Sequence, residues 1–140
     1  MQSNIQKGPL TLLANVDLTA MEDRLVNIVS DGGVAKFDLP AANTDECNFV
    51  LTQGGAADTP VSAVPVTAEG QIRVVSEGAI AVGERVCLAD VATPADKGMV
   101  RALPAAAGDY RCFARCEGAS SDGSLALLRK SDAKTVTVSE

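Results

Sequence analysis

The chain has 140 residues, 46% of them hydrophobic, 3% aromatic and 21% charged, with a formal net charge of −6. That length and apolar content suit one folded domain and exclude a disordered tail protein. Its cations stand singly (Lys36, Arg73, Arg85, Arg101, Arg111, Arg115), with only Arg129 and Lys130 adjacent. This argues against nucleic acid, whose binders cluster cations to displace counterions from phosphate.

Residues 1–9, MQSNIQKGP, are polar and end in Gly8-Pro9, so they read as an extended N-terminal arm. Residues 10–140 read as a single β domain. The opening residues lack an apolar signal segment, and no run approaches the roughly 20 apolar residues of a membrane span. No membrane is expected, and the chain is expected to be made and kept in a cytoplasm, or in something assembled there. Residues 15–24, NVDLTAMEDR, admit a short helix capped by Asp17 or Thr19.

From there the elements read as strands. RLVNIVS (24–30) and VAKF (34–37) flank DGG (31–33). Asp-Gly between apolar runs is a strong hairpin signal, because both central residues of such a turn need φ > 0. LPAAN (39–43) and GGAADTP (54–60) read as loops. In QIRVVSE (71–77), Ile72 and Val74 share a face opposite Arg73. GAIAVGERVCLA (78–89) reads as two short strands turning through Gly83. ADKG (95–98) reads as a hairpin turn with Gly98 in the left-handed position. LPAAAGD (103–109) has room for one helical turn before Gly108. In YRCFARCE (110–117), Tyr110, Cys112, Ala114 and Cys116 fall on one face and Arg111, Phe113, Arg115 and Glu117 on the other. That alternation marks a half-buried antiparallel strand. The turn SSDGS (120–124) separates it from LALLRK (125–130). No segment carries apolar residues at i, i+3, i+4 and i+7 over a helical length. The spacing predicts an all-β fold: a small antiparallel barrel or sandwich of short strands joined by hairpin turns.

Reactive constellations are sparse. The chain has no histidine, which removes the commonest general base and metal ligand. Cys112 and Cys116, four apart on a strand, stand ~13 Å apart at ~3.3 Å per residue, too far to share a metal ion or join each other. With Cys47 and Cys87 they are expected to be buried free thiols. Gly78 and Gly83 frame G-x-x-x-x-G, but no Lys-Ser/Thr follows, so no phosphate loop is expected. Lys97 sits in a turn, as in biotinyl and lipoyl carrier domains, yet Gly98 follows where those families place an apolar residue. Most of the carboxylates Asp38, Asp45, Glu46, Asp90, Asp96, Asp109 and Asp122 fall in turns, where Asp bonds to its own backbone. No catalytic residue, cofactor or metal is expected, and the chain is not expected to be an enzyme.

One resemblance is visible. A strand leads to GAIAVGERV, a hairpin leads to GMVRALPAAAGDY, a strand ends in ARCEGA, and the turn SDGS precedes a closing strand. Over roughly residues 62–130 this order resembles small bacteriophage capsid decoration, or cement, proteins. The resemblance implies a non-enzymatic virion protein that binds the outer capsid surface and stabilises the lattice of the major capsid protein. Assembly at a symmetry axis is expected, a homotrimer first and a dimer as alternative, because several weak contacts then act together. The arm is expected to contact the capsid through Ile5, Gly8, Pro9 and Leu10, adding a strand to an exposed sheet edge. Two other readings stay open. One is a β-rich tail, fibre or baseplate domain. The other is a small non-enzymatic binding module, for which one Tyr and three Phe are a poor supply of pocket aromatics.

Overall fold

Short apolar runs bury one face or both and are punctuated by glycine turns. The computed structural model describes residues 8–67 and 70–140. Strands β1 (Leu10–Ala14), β2 (Leu25–Asp31), β3 (Val34–Asp38), β4 (Phe49–Gln53) and β5 (Pro60–Pro65) form a closed barrel in the order β1-β3-β2-β4-β5. Strands β6 (Gln71–Val75), β7 (Arg85–Leu88), β8 (Val100–Ala102), β9 (Gly108–Gly118) and β10 (Leu125–Val138) form a second sheet, β6-β10-β9-β7-β8. The only helix among the described residues is a 3₁₀ turn, Pro94–Asp96. The fold is all-β, as the spacing predicted. One named pair departs from the antiparallel pattern: β1 runs parallel to β3, with Leu13 beside Lys36.

The DGG signal was sound. Asp31 pairs with Val34, and Gly32 (φ +58°) and Gly33 (φ +85°) make the two-residue turn. Pairing of β5 with β1, from Leu10 opposite Ala63 to Leu13 opposite Pro60, closes the barrel and leaves no free edge.

Continuous apolar pairs mark the strands that are buried on both sides. On β2 and β4, Val26 and Leu51 point into the barrel with Ala14, Leu18, Phe37, Val61 and Ala63. Their neighbours Leu25 and Val50 point outward, into a second core with Val74, Val86, Leu88, Val100 and Leu128. Burying each such side chain stabilises the fold by about 1.5–3 kcal/mol, and the two sheets share that gain across β2 and β4. Phe37 meets Phe49 edge to face inside the barrel, ring centroids 5.4 Å apart.

Three local expectations are corrected. Residues 15–24 form turns, not a helix. Ala20 (φ 58°) and Asp23 (φ 64°) are left-handed, and the segment's N–H groups bond elsewhere: Leu18 to the Gly55 carbonyl and Asp23 to that of Leu51. The fully buried Leu18 packs into the barrel core. At 103–109 no helical turn forms, because β9 already begins at Gly108. Of residues 79–82, Ile80 makes an isolated bridge with Ser120 and no full strand follows.

Gly98 does have positive φ (+80°), but its role is larger than a hairpin turn. Its carbonyl accepts the Leu25 N–H at 2.8 Å, and a Cβ there would lie 2.7 Å from the Leu25 oxygen. The Arg24 guanidinium donates to the carbonyls of Ala95 (2.7 Å) and Lys97 (2.9 Å). The β7–β8 connection is thereby pinned onto the barrel.

The alternation read along 110–117 breaks at a bulge. Val86 pairs with Ala114, but Cys87 pairs with Cys112, so Phe113 is the extra residue. Phe113 joins Ala114 and Cys116 in the core, whereas Cys112 moves to the face of Arg115.

Candidate functional site

Of the residues expected to meet a capsid, Ile5 lies outside the described residues. Gly8 and Pro9 are exposed. Leu10 opens β1, half-buried, and packs against the barrel core, so its side chain is engaged within the chain.

All four thiols are free; Cys87, Cys112 and Cys116 are buried and Cys47 is partly so. Burial, reinforced by Asp45, pushes Cys47 up to about 12. Burial pushes Cys87 up to about 11 against the opposing pull of Arg101. Neither thiol ionises near neutrality, so neither is a ready nucleophile. Among the described residues no group of three His, Cys, Asp or Glu side chains is placed to hold a metal ion. A cavity of about 70 Å³ sits between the loop before β4 and the second sheet, lined by Cys47, Val66, Leu88, Arg111 and Phe113 among others. It is far below the several hundred Å³ of a typical small-molecule site, and Arg111 pairs with Glu46 beside it.

Among the described residues, the barrel carries one embedded charge. Lys36 on β3 is almost buried, and its Nζ donates to Asp31 and Asp58, each at 2.7 Å. These hydrogen bonds, Asp31 first, raise its pKa above the ordinary lysine value. Asp58 itself is left-handed (φ 60°) and its N–H bonds the Ala14 carbonyl. The triad ties the loop before β5 to the β2–β3 hairpin.

The outer face of the second sheet is the most distinctive surface. On every strand an arginine sits beside a core residue and so points the opposite way. These are Arg73 beside Val74, Arg85 beside Val86, Arg101 beside Val100, Arg115 beside Ala114 and Arg129 beside Leu128. The register places Arg129, Arg115 and Arg85 directly opposite one another across three adjacent strands, at about 5 Å per strand. Like charges so placed are destabilising. Arg129 is matched by Glu117 (3.0 Å); Arg115 donates only to the Gly83 carbonyl (3.1 Å) among the described residues. Arg85, Arg115 and Lys134 border a depression of about 260 Å³ floored by Cys112 and Ser131. Sequence reading missed this face because its arginines lie far apart along the chain. Their common position one residue from a core residue was the available signal.

No protein-family model matches the chain, and no curated protein sequence matches it. Among solved structures, the chain is similar to the head fiber gp8.5 N base of bacteriophage phi29. The TM-score is 0.67 at 17% identity, and the match covers 91% of this chain and 96% of that chain. At that identity the likeness is one of fold.

Proposed function

We propose that the chain is a structural, non-enzymatic protein of a phage virion. It binds the outer surface of the capsid and stabilises the lattice of the major capsid protein, acting as a homo-oligomer with trimers favoured. The observation that carries this reading is the shared fold with a phage head fiber base over nearly the whole of both chains. The decoration-protein pattern over roughly residues 62–130 supports it, as does the net charge of −6, which disfavours contact with packaged DNA. The raised pKa values of Cys47 and Cys87, and the small size of the cavity beside Cys47, agree with a role made of contacts rather than chemistry. The arm, through Ile5, Gly8 and Pro9, supplies part of the contact, next to Leu10 where β1 begins.

A second reading has an observation of its own. A solved structure that shares this fold is a head fiber base, so this chain would be the base on which a surface fibre stands. The two readings share the outer surface of the head and differ in what projects from it. Mixing the purified protein with empty expanded capsids of the phage that encodes it, followed by size exclusion, tests both. Depletion of free protein supports either reading. A protein that elutes alone at every ratio contradicts both. Electron microscopy of the virion then separates them, by a low cap for decoration and a projecting rod for a fibre.

A further inference from the structure

Charge is divided unevenly along this chain. Residues 1–70, which include the barrel strands from Leu10 to Pro65, carry nine Asp/Glu and three Lys/Arg; residues 71–140 carry nine of each. Within that balanced second half, five arginines and Lys134 share the outer face of the sheet. The molecule is therefore acidic at the barrel and basic on one face of the second sheet.

The barrel presents a surface of the opposite kind. A groove of about 480 Å³ runs over β2 and the start of β4, lined by Ile28, Phe49, Asp45 and Glu46, with no lysine or arginine among its lining residues. Asp45 accepts from the N–H groups of Ala41 and Ala42, while Glu46 is shared with Arg111 of the same chain. Ile28 is 43% exposed and lies beside those carboxylates. The basic face has matching apolar flanks. Leu125, on β10 four residues before Arg129, is 43% exposed, and Val82, next to the Gly83 that holds Arg115, is 66% exposed.

We infer that the basic outer face of the second sheet, centred on Arg85 and Arg115, docks into the acidic, Ile28-floored groove of the barrel of a second copy of this chain. Opposite potentials attract, and the exposed apolar side chains on each side supply the area to be covered. Two basic faces would repel each other, so a two-fold contact of this patch with itself is disfavoured. The contact joins different patches and is head to tail, which closes into a ring when the rotation permits. A polyphosphate partner fits less well. The row is short, it lacks a set of aromatic platforms, and it belongs to a molecule of net charge −6. The inference rests on the homo-oligomer of the proposed function and names its surface.

The experiment is sedimentation velocity on the full chain and two surface variants, Arg115→Glu and Ile28→Arg, at about 0.05 M and about 0.5 M salt. Circular dichroism and a melting curve establish that each variant is folded. The wild type should associate at low salt and dissociate at high salt, and each variant alone should sediment as a monomer. An equimolar mixture of the two variants should form one-to-one dimers, because each keeps the patch that the other has lost. A wild type that stays monomeric at low salt overturns the inference, as do variants that associate like the wild type. Monomeric variants whose mixture forms no dimer also overturn it. Capsid depletion is read separately. A monomeric protein that capsids still deplete leaves the decoration reading standing and removes only this contact.

Discussion

Arg115 stands between two like charges, Arg85 on one neighbouring strand and Arg129 on the other. Folding alone gains nothing from that row. Arg115→Glu replaces two repulsions by two attractions, and cross-strand pairs are worth about 0.2–1 kcal/mol each. The variant should therefore be more stable than the wild type by about 0.5 kcal/mol or more in urea titration at low salt, and the gain should shrink in high salt. Equal or lower stability would mean that Arg115 serves the fold. The thiols make a second residue-scale prediction. Burial raises the folded pKa of Cys47 from 9.0 to about 12 and that of Cys87 to about 11. Above pH 9 the unfolded chain releases these protons while the folded chain keeps them. Their contribution is thus complete below pH 9 and is lost as pH rises through the folded values. Chemical denaturation across pH 8–12 should show this decline, and Cys47→Ala should flatten it. A Cys47→Ala profile parallel to the wild type would contradict the assignment.

At the scale of elements, the connection from β7 to β8 is predicted to be a structural joint. Gly98→Ala places a Cβ against the Leu25 oxygen and strains a φ of +80°. It should cost more than about 1 kcal/mol, read as a lower urea midpoint with an unchanged slope. An unchanged midpoint would show that the joint yields. The arm should behave in the opposite way. Deleting residues 1–9 leaves Leu10 and the β1 pairings in place, so the melting temperature should hold. Capsid binding should weaken about tenfold, or about 1.4 kcal/mol, in a titration against capsids. Equal affinity with and without the arm removes it from the contact. These elements also mark how far sequence reading reached. The β2–β3 turn was legible because Gly32 and Gly33 satisfy a local backbone demand. The bulge at Phe113 was not, since it arises where β9 changes register against β7, a partner more than twenty residues away. The turns at 15–24 were misread for the same reason: their N–H groups are claimed by Leu51 and Gly55, which no local window contains. The arginine row is the extreme case, because three strands must align before Arg85, Arg115 and Arg129 become neighbours.

At the scale of the molecule, a closed acidic barrel and a second sheet with a basic face are welded through one shared core at Leu25 and Val50. The weld fixes the two surfaces relative to each other, and the proposed lattice contact would draw on that, because several weak contacts then act at once. The all-β class was readable from strand spacing. The parallel β1–β3 pair and the barrel closure through β5 were not, because both depend on pairings between strands distant in sequence. The central claim is attachment to the outside of a capsid, and one measurement addresses it most directly. Electron cryomicroscopy would compare empty expanded capsids of the encoding phage before and after addition of this protein. New density is expected on the outer surface, of a size matching this fold and repeating at three-fold positions of the lattice. A difference map with no external density, or with density confined to the capsid interior or the tail, would contradict it.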